Sequence, residues 1–464
     1  MTAPASDLAR RISRTVLEQR LFGPGDTLIV ALSGGADSTA LLDLLSGLPG
    51  FQPRLVAAHL NHSLRGADSE ADEAFSRGLA GRYSIPFESR RVDVRAFAAQ
   101  HRLNLEDAGR RARHAFFEEL RRKWGAAAVA LGHHADDQAE TVLMRLLRGA
   151  GSAGLSGMPY RNERGFIRPL LDVTRSEIEE WLTQKGLAWR EDQSNRDTAF
   201  LRNRIRHELL PLLEGYNPAV RERLTATAGL LAADDDLLET LTRKEYARLA
   251  ERGAAAVAFE VAALTQMHPA MLRRLIRHAV SELAGDLRHL SLRHVGDVAA
   301  LLDDGPPNRR ITLPGLLLAR REYGRLVIQR AGADLGTPEE VVIDAPGRYR
   351  LWDGMTLEIS PAAPPERLDE TSPGTAWLDP AKAPFPWLVR TFLPGDRIVP
   401  FGMSGSRKVK EIFIDAKIPL SQRKRIPLVL SGETLIWVCG LRSSDLARID
   451  GSSARIVKAV LSGN

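Results

Sequence analysis

The chain has 464 residues, of which 44% are hydrophobic and 26% charged, so it is too long for one typical domain and too apolar to be disordered. Its 64 Lys and Arg against 58 Asp and Glu give a formal net charge of +6, which favours an anionic partner but also fits an arginine-rich surface. A single cysteine, Cys439, excludes an intramolecular disulfide and a cysteine-based metal site. No apolar signal or spanning segment is visible, so we expect a cytoplasmic protein without a membrane partner.

The first part of the chain alternates apolar strands with amphipathic helices. After a helix over about 6–20, predicted strands cover 28–32, 54–60, 86–92, 127–133 and 166–171. Helices are predicted at about 38–47, 68–83, 106–124 and 136–148, and one more begins at Thr174 and ends at Gly186. This alternation predicts an α/β fold with a parallel sheet covered on both faces. The loops after Leu32, Leu60 and Leu131 should share one crevice at the carboxyl ends of the strands.

The rest of the chain changes character twice. Residues 216–305 read as wholly helical, and a hairpin turning near Tyr323 and Gly324 should follow. A Gly/Pro/Ala/Asp-rich stretch at 331–338 predicts a linker, after which short strands begin a last domain. We therefore predict three domains: an α/β domain over 1–215, a mainly helical domain over 216–333 and a small α/β domain over 339–464.

The loop after the first strand reads Ser33-Gly34-Gly35-Ala36-Asp37-Ser38. Two glycines and a following helix start suit phosphate binding by backbone N–H groups, and the two serines can add hydroxyl donors. Asp37 would be out of place beside phosphates unless it holds Mg²⁺. An ordinary βα turn is the alternative, but this order is rarer than a lone glycine pattern. Residues 33–38 do not match the Walker loop, because the lysine of that motif is absent. They do not match the dinucleotide-binding motif either, because the glycine spacing differs.

A second group of polar residues follows the strand at 127–133, in the order His133-His134-Ala135-Asp136-Asp137-Gln138-Ala139-Glu140. His133 and Asp137 lie four residues apart, as do Asp136 and Glu140, so each pair can share a helical face. The carboxylates suit Mg²⁺ or a cationic amine. Zinc binding and simple helix capping by Asp136 are the alternatives, and zinc is disfavoured with one remote cysteine.

Two arginine-rich stretches carry weaker signals. Arg110 and Arg113 share a helical face, with Glu106 one turn before Arg110; this is either a surface charge ladder or a means of stabilising transferring phosphates. The segment 192–206 holds four arginines beside Phe200, which suits RNA binding as well as a solvated loop.

The SGGADS loop resembles the pyrophosphate loop of the N-type ATP pyrophosphatases, the PP-loop superfamily. Together, SGGADS, LNHSLRG, EDAGRRARHAFF, GHHADDQAET, IRPLL and DQSNRDTAFLRNRIR occur in the order typical of bacterial tRNA(Ile)-lysidine synthetases. The carboxyl-terminal LPGDRIVPFGMSGSRKVKEIFIDAKIPLSQRKRIPLV resembles the terminal domain of that family. Two departures stand out: His114 replaces a usual tyrosine, and Gly109 replaces a usual alanine.

The resemblance implies an adenine-nucleotide alpha-hydrolase-like fold and a two-step ligation. ATP would adenylate O2 of the wobble cytidine in an isoleucine tRNA with the anticodon CAU, and the side-chain amine of free lysine would then displace AMP from C2. Residues implied to bind ATP are Ser33, Gly34, Gly35, Ala36, Asp37, Ser38 and His133. Those implied to act in catalysis are Asp37, Arg110, Arg113, Asp137 and Glu140.

The same resemblance implies that Asp37 and Asp137 hold Mg²⁺, and that Asp137 and Glu140 handle lysine. Residues implied to contact lysine or tRNA are Arg202, Arg206, Arg274, Lys408 and Lys410. For each of Arg274, Lys408 and Lys410, an ordinary solvent-exposed position is nearly as good an interpretation as a tRNA contact. A homodimer is compatible with the sequence, which leaves the oligomeric state open.

Two rival functions come from different classes. A tRNA thiolase would share the PP-loop, but sulfur relay generally needs cysteines, and Cys439 is remote from the loop. A non-catalytic tRNA-binding protein could retain the same fold. Retention of Asp37, Asp137 and Glu140 argues against that second alternative.

Overall fold

The computed structural model describes residues 4–63, 66–191, 198, 200–303, 309–331, 338–364 and 374–463. It separates into two compact units, Met1–Leu238 and Glu239–Asn464. The predicted boundaries at 215/216 and 333/339 remain predictions. None of the helices in the described ranges is both long enough and apolar enough to cross a bilayer.

The first unit is built on a five-stranded parallel sheet. Its strands are β1 (Thr27–Ala31), β2 (Arg54–Asn61), β3 (Phe87–Arg91), β4 (Ala128–Ala130) and β5 (Phe166–Ile167). They lie in the order β3-β2-β1-β4-β5, and every pairing is parallel. The predicted sheet and strand positions are confirmed. The last strand is shorter than predicted and is followed by Arg168 and Pro169, a residue that has no N–H to continue a ladder.

Helices cover both faces of this sheet. They are α1 (Pro4–Glu18), α2 (Ala36–Ser46), α3 (Ala67–Arg82), α4 (Val94–His101), α5 (Leu105–Lys123), α6 (Ala135–Leu147), α7 (Ser152–Leu155), α8 (Arg175–Gln184), α9 (Leu201–Arg204), α10 (Leu210–Tyr216) and α11 (Val220–Leu249). A π-helical turn, Ile205–Leu209, joins α9 to α10. The short helix α4 was not predicted; Asp93 caps it by accepting hydrogen bonds from the N–H groups of Arg95 and Ala96.

Side chains from the two faces of the sheet pack into two separate hydrophobic cores. Leu28 and Val30 pack into the cluster that includes helices α1, α2 and α8, whereas Ile29 packs into the cluster with Phe116 and Phe117 of α5. This division follows from the two-residue period of a strand, which sends successive side chains to opposite faces. The near-continuous apolar run of β1 is therefore buried on both sides.

Strand order reverses at β1, because β2 lies on one side of it and β4 on the other. The loops that leave β1 and β4 consequently meet. A Cβ atom on Gly132, just after β4, would lie 3.0 Å from both the carbonyl carbon and the carbonyl oxygen of Asp37 in α2. Glycine at this position lets the β4–α6 loop touch the first turn of α2, and this contact brings the two predicted site segments together.

The second unit begins with a helical and β region. After α11 come β6 (Glu251–Arg252), β7 (Ala256–Glu260), α12 (Val261–Thr265), α13 (Pro269–Ala284), α14 (Leu292–Ala299), β8 (Arg310–Leu313), β9 (Leu317–Glu322) and β10 (Arg325–Arg330). The predicted hairpin is confirmed, with Glu322 paired to Arg325 across Tyr323 and Gly324. Its strands belong to an antiparallel sheet in the order β6-β7-β10-β9-β8. The short strands β6 and β7 lie inside the stretch that we expected to be wholly helical.

The carboxyl-terminal region contains two larger sheets and a two-stranded one. Its elements are β11 (Val341–Ile343), β12 (Gly347–Arg350), β13 (Thr356–Pro361), β14 (Thr375–Leu378), β15 (Trp387–Arg390), β16 (Arg397–Ile398), β17 (Arg407–Lys408), α15 (Val409–Asp415), α16 (Leu420–Arg423), β18 (Leu428–Ser431), β19 (Thr434–Val438), β20 (Arg442–Ser443) and β21 (Val457–Ser462). The sheets run β11-β15-β18-β19-β20 and β12-β13-β21-β14. They share a core that contains Trp387, Trp437 and Cys439. Burial raises the pKa of the Cys439 thiol, as expected of a core residue.

We predict that Gly132→Ala destabilises the first unit, because the new methyl group has to displace the backbone of Asp37. The expected cost is about 1–3 kcal/mol, as for other overpacked sites. The matched control is Gly47→Ala at the end of α2, where φ is −116° and no atom lies within 4 Å of the position that the new methyl group would take. Thermal unfolding should show a lower Tm for Gly132→Ala only; equal Tm values would contradict the close contact.

Candidate active site

The phosphate loop joins β1 to α2 through Ser33, Gly34 and Gly35. Gly34 has a φ of +87°, and a Cβ there would lie 3.2 Å from the ring of Phe75, so only glycine fits without strain. The Ser38 hydroxyl accepts a hydrogen bond from the Ser33 N–H (3.2 Å) and donates to the carbonyl of Gly35 (3.0 Å). No side chain caps α2 at Gly35. The positive end of this helix is therefore available to an anion.

The loop after β4 places an imidazole between three carboxylates. Nε2 of His134 lies 3.4 Å from Oδ2 of Asp137 and 3.7 Å from Oδ1 of Asp37, while Nδ1 lies 3.5 Å from Oδ2 of Asp136. The backbone N–H of His134 also donates to Asp137 (3.1 Å), which closes the first turn of α6. Sequence reasoning gave His134 no role, although its position between His133 and Asp136 was the available signal.

Electrostatics in this group favour a protonated His134. Burial alone would lower the pKa of the imidazole, but its contact with Asp136 and the charges of Asp137 and Asp37 raise it above its usual value. Burial opposes ionisation of Asp136 and Asp137, yet their partners hold both pKa values below the ordinary range. Asp37 behaves in the opposite way: burial, reinforced by the charge of Asp137, leaves its pKa raised.

Arg175 is a second residue that the sequence analysis missed. It opens α8, and its Nη1 donates to Oδ1 of Asp37 at 2.7 Å. Its backbone N–H donates to Asp136 (2.9 Å), and its Nε donates to Glu179 (2.7 Å). The helix start was predicted from Thr174, but nothing in the local pattern indicated that the next residue would reach the phosphate loop.

Asp137 and Glu140 form a network with two arginines from the α9 region. Arg202 donates to Glu140 (2.7 Å) and Asp137 (2.8 Å). Arg206 donates to Glu140 (2.5 Å) and Asp137 (3.2 Å). Glu140 is fully buried, so its charge depends on these partners. The structure thus brings together four predicted site residues. It pairs the two carboxylates with the arginines, which the resemblance had implied only as contacts to lysine or tRNA.

Arg110 and Arg113 lie on α5, near a further arginine that follows β5. Arg113 reaches solvent, yet surrounding protein and the charges of Arg110 and Arg202 lower the pKa of its guanidinium. Arg168 is buried, and burial with the charges of Arg110 and Arg145 lowers its pKa to about 10. Among the described side chains, no carboxylate lies within salt-bridge distance of Arg110, Arg113 or Arg168. The cluster therefore carries positive charge that an anionic substrate can neutralise.

Two histidines border this basic cluster. Burial and the nearby arginines lower the pKa of His114 to about 4, and its ring stacks on Phe166 with centroids 4.7 Å apart. The pKa of His133 falls to about 3, mainly through burial, and its Nδ1 has no hydrogen-bond partner among the residues that the structure describes. Both imidazoles are therefore neutral at physiological pH. A neutral His133 can donate or accept one hydrogen bond at a bound nucleotide.

Other predicted residues lie elsewhere. Arg274 belongs to α13, Lys408 to β17 and Lys410 to α15, all in the second unit. Both lysines are exposed. Part of the basic segment 192–206, including Arg196, and the side chain of Glu106 lie outside the described residues.

The parallel sheet and the glycine loop after β1 define a PP-loop protein, and a family model described as a PP-loop domain matches residues 4–213. Two further models match: a TilS substrate binding domain over residues 259–327 and a TilS substrate C-terminal domain over residues 388–458. A crystal structure of a TilS C-terminal domain is 30% identical and covers 27% of this chain and 98% of that chain, with a TM-score of 0.25.

Curated relatives match almost the whole chain. The tRNA(Ile)-lysidine synthase of Geobacter sulfurreducens is 46% identical over 97% of this chain and 96% of its own length. That of Dehalococcoides mccartyi is 36% identical over 97% of this chain and 98% of its own length. The chain belongs to the tRNA(Ile)-lysidine synthase family, as its motifs indicated.

We predict that His134 makes folding stability depend on pH. Because its folded pKa is raised, its contribution is fully present below about pH 6.5, the unfolded value, and is lost as the pH rises through the folded value. His134→Gln should remove this dependence. Denaturant unfolding between pH 5.5 and 9 should show wild type losing stability relative to the variant as the pH rises. Parallel curves would contradict a raised pKa.

Proposed function

We propose that this protein ligates lysine to C2 of the wobble cytidine of tRNA(Ile) with the anticodon CAU, forming lysidine and consuming ATP. Family membership supports the reaction. The observation that carries the site assignment is the close approach of Gly132, next to His133, to Asp37 at the uncapped start of α2. Burial and the charges of Arg168 and Arg113 lower the pKa of His133. That combination suits a bound polyphosphate whose charge changes during reaction.

The first step transfers the adenylyl group. O2 of the cytidine attacks the α-phosphorus of ATP, the bond to the β-phosphate breaks, and pyrophosphate leaves. Residues 33–38 hold the departing phosphates through backbone N–H groups and serine hydroxyls. Arg110 and Arg113 offset the negative charge that develops on the transferring and leaving oxygens. His133, neutral by its environment, forms a hydrogen bond to the nucleotide.

Mg²⁺ fits this site through Asp37 and Asp137. Burial, reinforced by the charge of Asp137, raises the pKa of Asp37 even though the charges of His134 and Arg175 oppose the shift, so a further cation would favour the ionised form of Asp37. The described residues contain no group of three or more potential metal ligands. Mg²⁺ at nucleotide sites usually needs only one or two carboxylates, with phosphate and water oxygens completing its shell. The ion would neutralise phosphate charge.

The second step uses the network of Asp137, Glu140, Arg202 and Arg206. The side-chain nitrogen of lysine, deprotonated to –NH2, attacks C2, the C2–O bond breaks, and AMP leaves with the oxygen. A carboxylate of the network accepts the proton that the attacking nitrogen releases. Lysine carries two amines and a carboxylate, and the network offers groups of both signs. Lysine can thus bind if ion pairs within the network are replaced by ion pairs between the network and the charged groups of lysine. Such an exchange leaves no buried charge unpaired.

The outer regions would hold the remainder of the tRNA. In this proposal, residues 1–215 carry catalysis, while 216–333 and 339–464 supply phosphate contacts, among them Arg274, Lys408 and Lys410. Phosphate contacts position an RNA without reading its sequence, so the anticodon must be read near the catalytic crevice.

We predict that Arg113→Ala lowers the rate of pyrophosphate release by at least about 100-fold at saturating substrates, because one source of transition-state stabilisation is lost. The matched control is Arg111→Ala, which removes an exposed arginine from the same helix. Single-turnover assays with ATP, lysine and unmodified tRNA(Ile) would measure both rates. Equal rates for the two variants would remove Arg113 from the site.

We also predict that labelled lysine enters tRNA only when ATP, lysine and unmodified tRNA(Ile) with CAU are all present. Asp37→Ala should abolish both AMP formation and labelling if Asp37 holds the metal. AMP formation without labelling would retain the adenylating loop and assign another nucleophile, such as a sulfur donor. Function that persists in Asp37→Ala would instead support a non-catalytic tRNA-binding protein.

A further inference from the structure

A basic pocket lies at the end of α5, away from the residues described above. Its volume is about 300 Å³, and its walls are Glu118, Arg121, Arg122 and Arg164. The first three belong to the last turns of α5, and Arg164 precedes β5. Three guanidinium groups against one carboxylate leave the pocket with a formal net charge of about +2.

The arginines of this pocket are poorly balanced by acidic partners. Nη1 of Arg164 lies 3.5 Å from Oε1 of Glu118, a long contact between exposed groups. Arg122 donates from Nε to the main-chain carbonyl of Glu118 at 3.4 Å, which does not neutralise its charge. Nε of Arg121 is buried, and within the described part of the chain it has no hydrogen-bond partner. Buried donors are nearly always satisfied, so an unpaired one at a basic pocket indicates a missing acceptor.

The backbone at Gly165 leaves room for the guanidinium group of Arg121. A Cβ atom on Gly165 would lie 2.9 Å from Nη1 of Arg121, and Gly165 has a φ of +80°. Glycine at this position therefore leaves the space that the guanidinium occupies. An arginine that is positioned before its ligand arrives loses less conformational freedom on binding.

The pocket lies at the sheet edge opposite to the phosphate loop. Arg121 and Arg164 come just before the amino ends of β4 and β5, whereas Ser33 and His133 follow the carboxyl ends of β1 and β4. Arg113 and Arg121 are separated by eight residues of one helix, which corresponds to about 12 Å along its axis. The pocket is thus distinct from the site for ATP phosphates.

We propose that this pocket binds a backbone phosphate of the tRNA substrate, at a distance from the nucleotide being modified. The inference rests on the proposed function for the identity of the RNA. Arg122 and Arg164 are exposed, so a ligand there remains largely outside the protein, as a phosphodiester of a polymer does. Planar guanidinium forks match phosphate oxygens.

The test is a double substitution, Arg121→Gln with Arg164→Gln, in the full-length chain. Its control is Arg10→Gln with Arg14→Gln, which removes the same charge from exposed positions of α1. The pocket variant should bind tRNA(Ile) about tenfold more weakly at moderate salt. The slope of log affinity against log salt should fall by about one, whereas the control should keep the wild-type slope. The KM for ATP and the kcat at saturating tRNA should stay unchanged.

Glu118→Gln provides a test with the opposite sign. It removes the only carboxylate of the pocket and preserves the side-chain shape, so tRNA should bind more tightly than to wild type. This result cannot arise from misfolding. Unchanged tRNA affinity in both the double variant and Glu118→Gln would overturn the proposal.

A competition experiment with inorganic phosphate shows whether the ligand of the pocket is the RNA or a free anion. If phosphate inhibits tRNA binding saturably in wild type but not in the double variant, beyond its effect on ionic strength, both ligands use the pocket and the proposal is supported. If phosphate binds to wild type but not to the double variant, while tRNA binds equally well to both, the pocket belongs to a free anion and the proposal is wrong. Direct tRNA binding also distinguishes this proposal from the enzymatic one. Loss of affinity in the double variant would support the pocket even if wild type failed to label tRNA, and normal labelling with unchanged affinity would reject the pocket alone.

Discussion

The contact between Gly132 and the backbone of Asp37 is the constraint on which the site depends. It exists because β1 and β4 are neighbours at the point where strand order reverses. It places Asp37 beside His134, and through His134 beside the first turn of α6. Without this approach the phosphate loop and the carboxylates would belong to two separate turns. A side chain at position 132 would force them apart.

Charge in the site is divided into a balanced part and an unbalanced part. Asp137 and Glu140 have arginine partners, and the buried carboxylate of Glu140 would be costly without them. Arg113 and Arg168 instead have lowered pKa values, because burial disfavours their charged forms and the neighbouring charges are also positive. A bound polyphosphate would neutralise the positive charge of Arg113 and Arg168. A zwitterionic amino acid could instead form ion pairs with the carboxylates and arginines of the Asp137–Glu140 network. The unpaired arginines thus suit a phosphate-containing substrate, and the paired network suits an amino acid substrate of the same reaction.

Several features of the fold were predictable from local pattern alone. Buried strands such as β1 follow from apolar runs bounded by turn residues, and the hairpin around Tyr323 and Gly324 follows from alternation and a glycine turn. Strands β6 and β7 were not predictable in this way, because they are two and five residues long and lie between helices. Strand β6 pairs with β7, and the pairing of β7 with β10 depends on a segment some 70 residues later.

The amino-acid sequence by itself determined the parallel sheet, the phosphate loop of residues 33–38 and the grouping of Asp137 with Glu140. These depend on neighbours within a few positions, since helix and strand periods and turn chemistry are local properties. Only the tertiary structure decided that Arg175 reaches Asp37 and that Arg202 pairs with Glu140. Those partners are 138 and 62 residues apart, and no local pattern encodes which distant side chain will satisfy a buried charge.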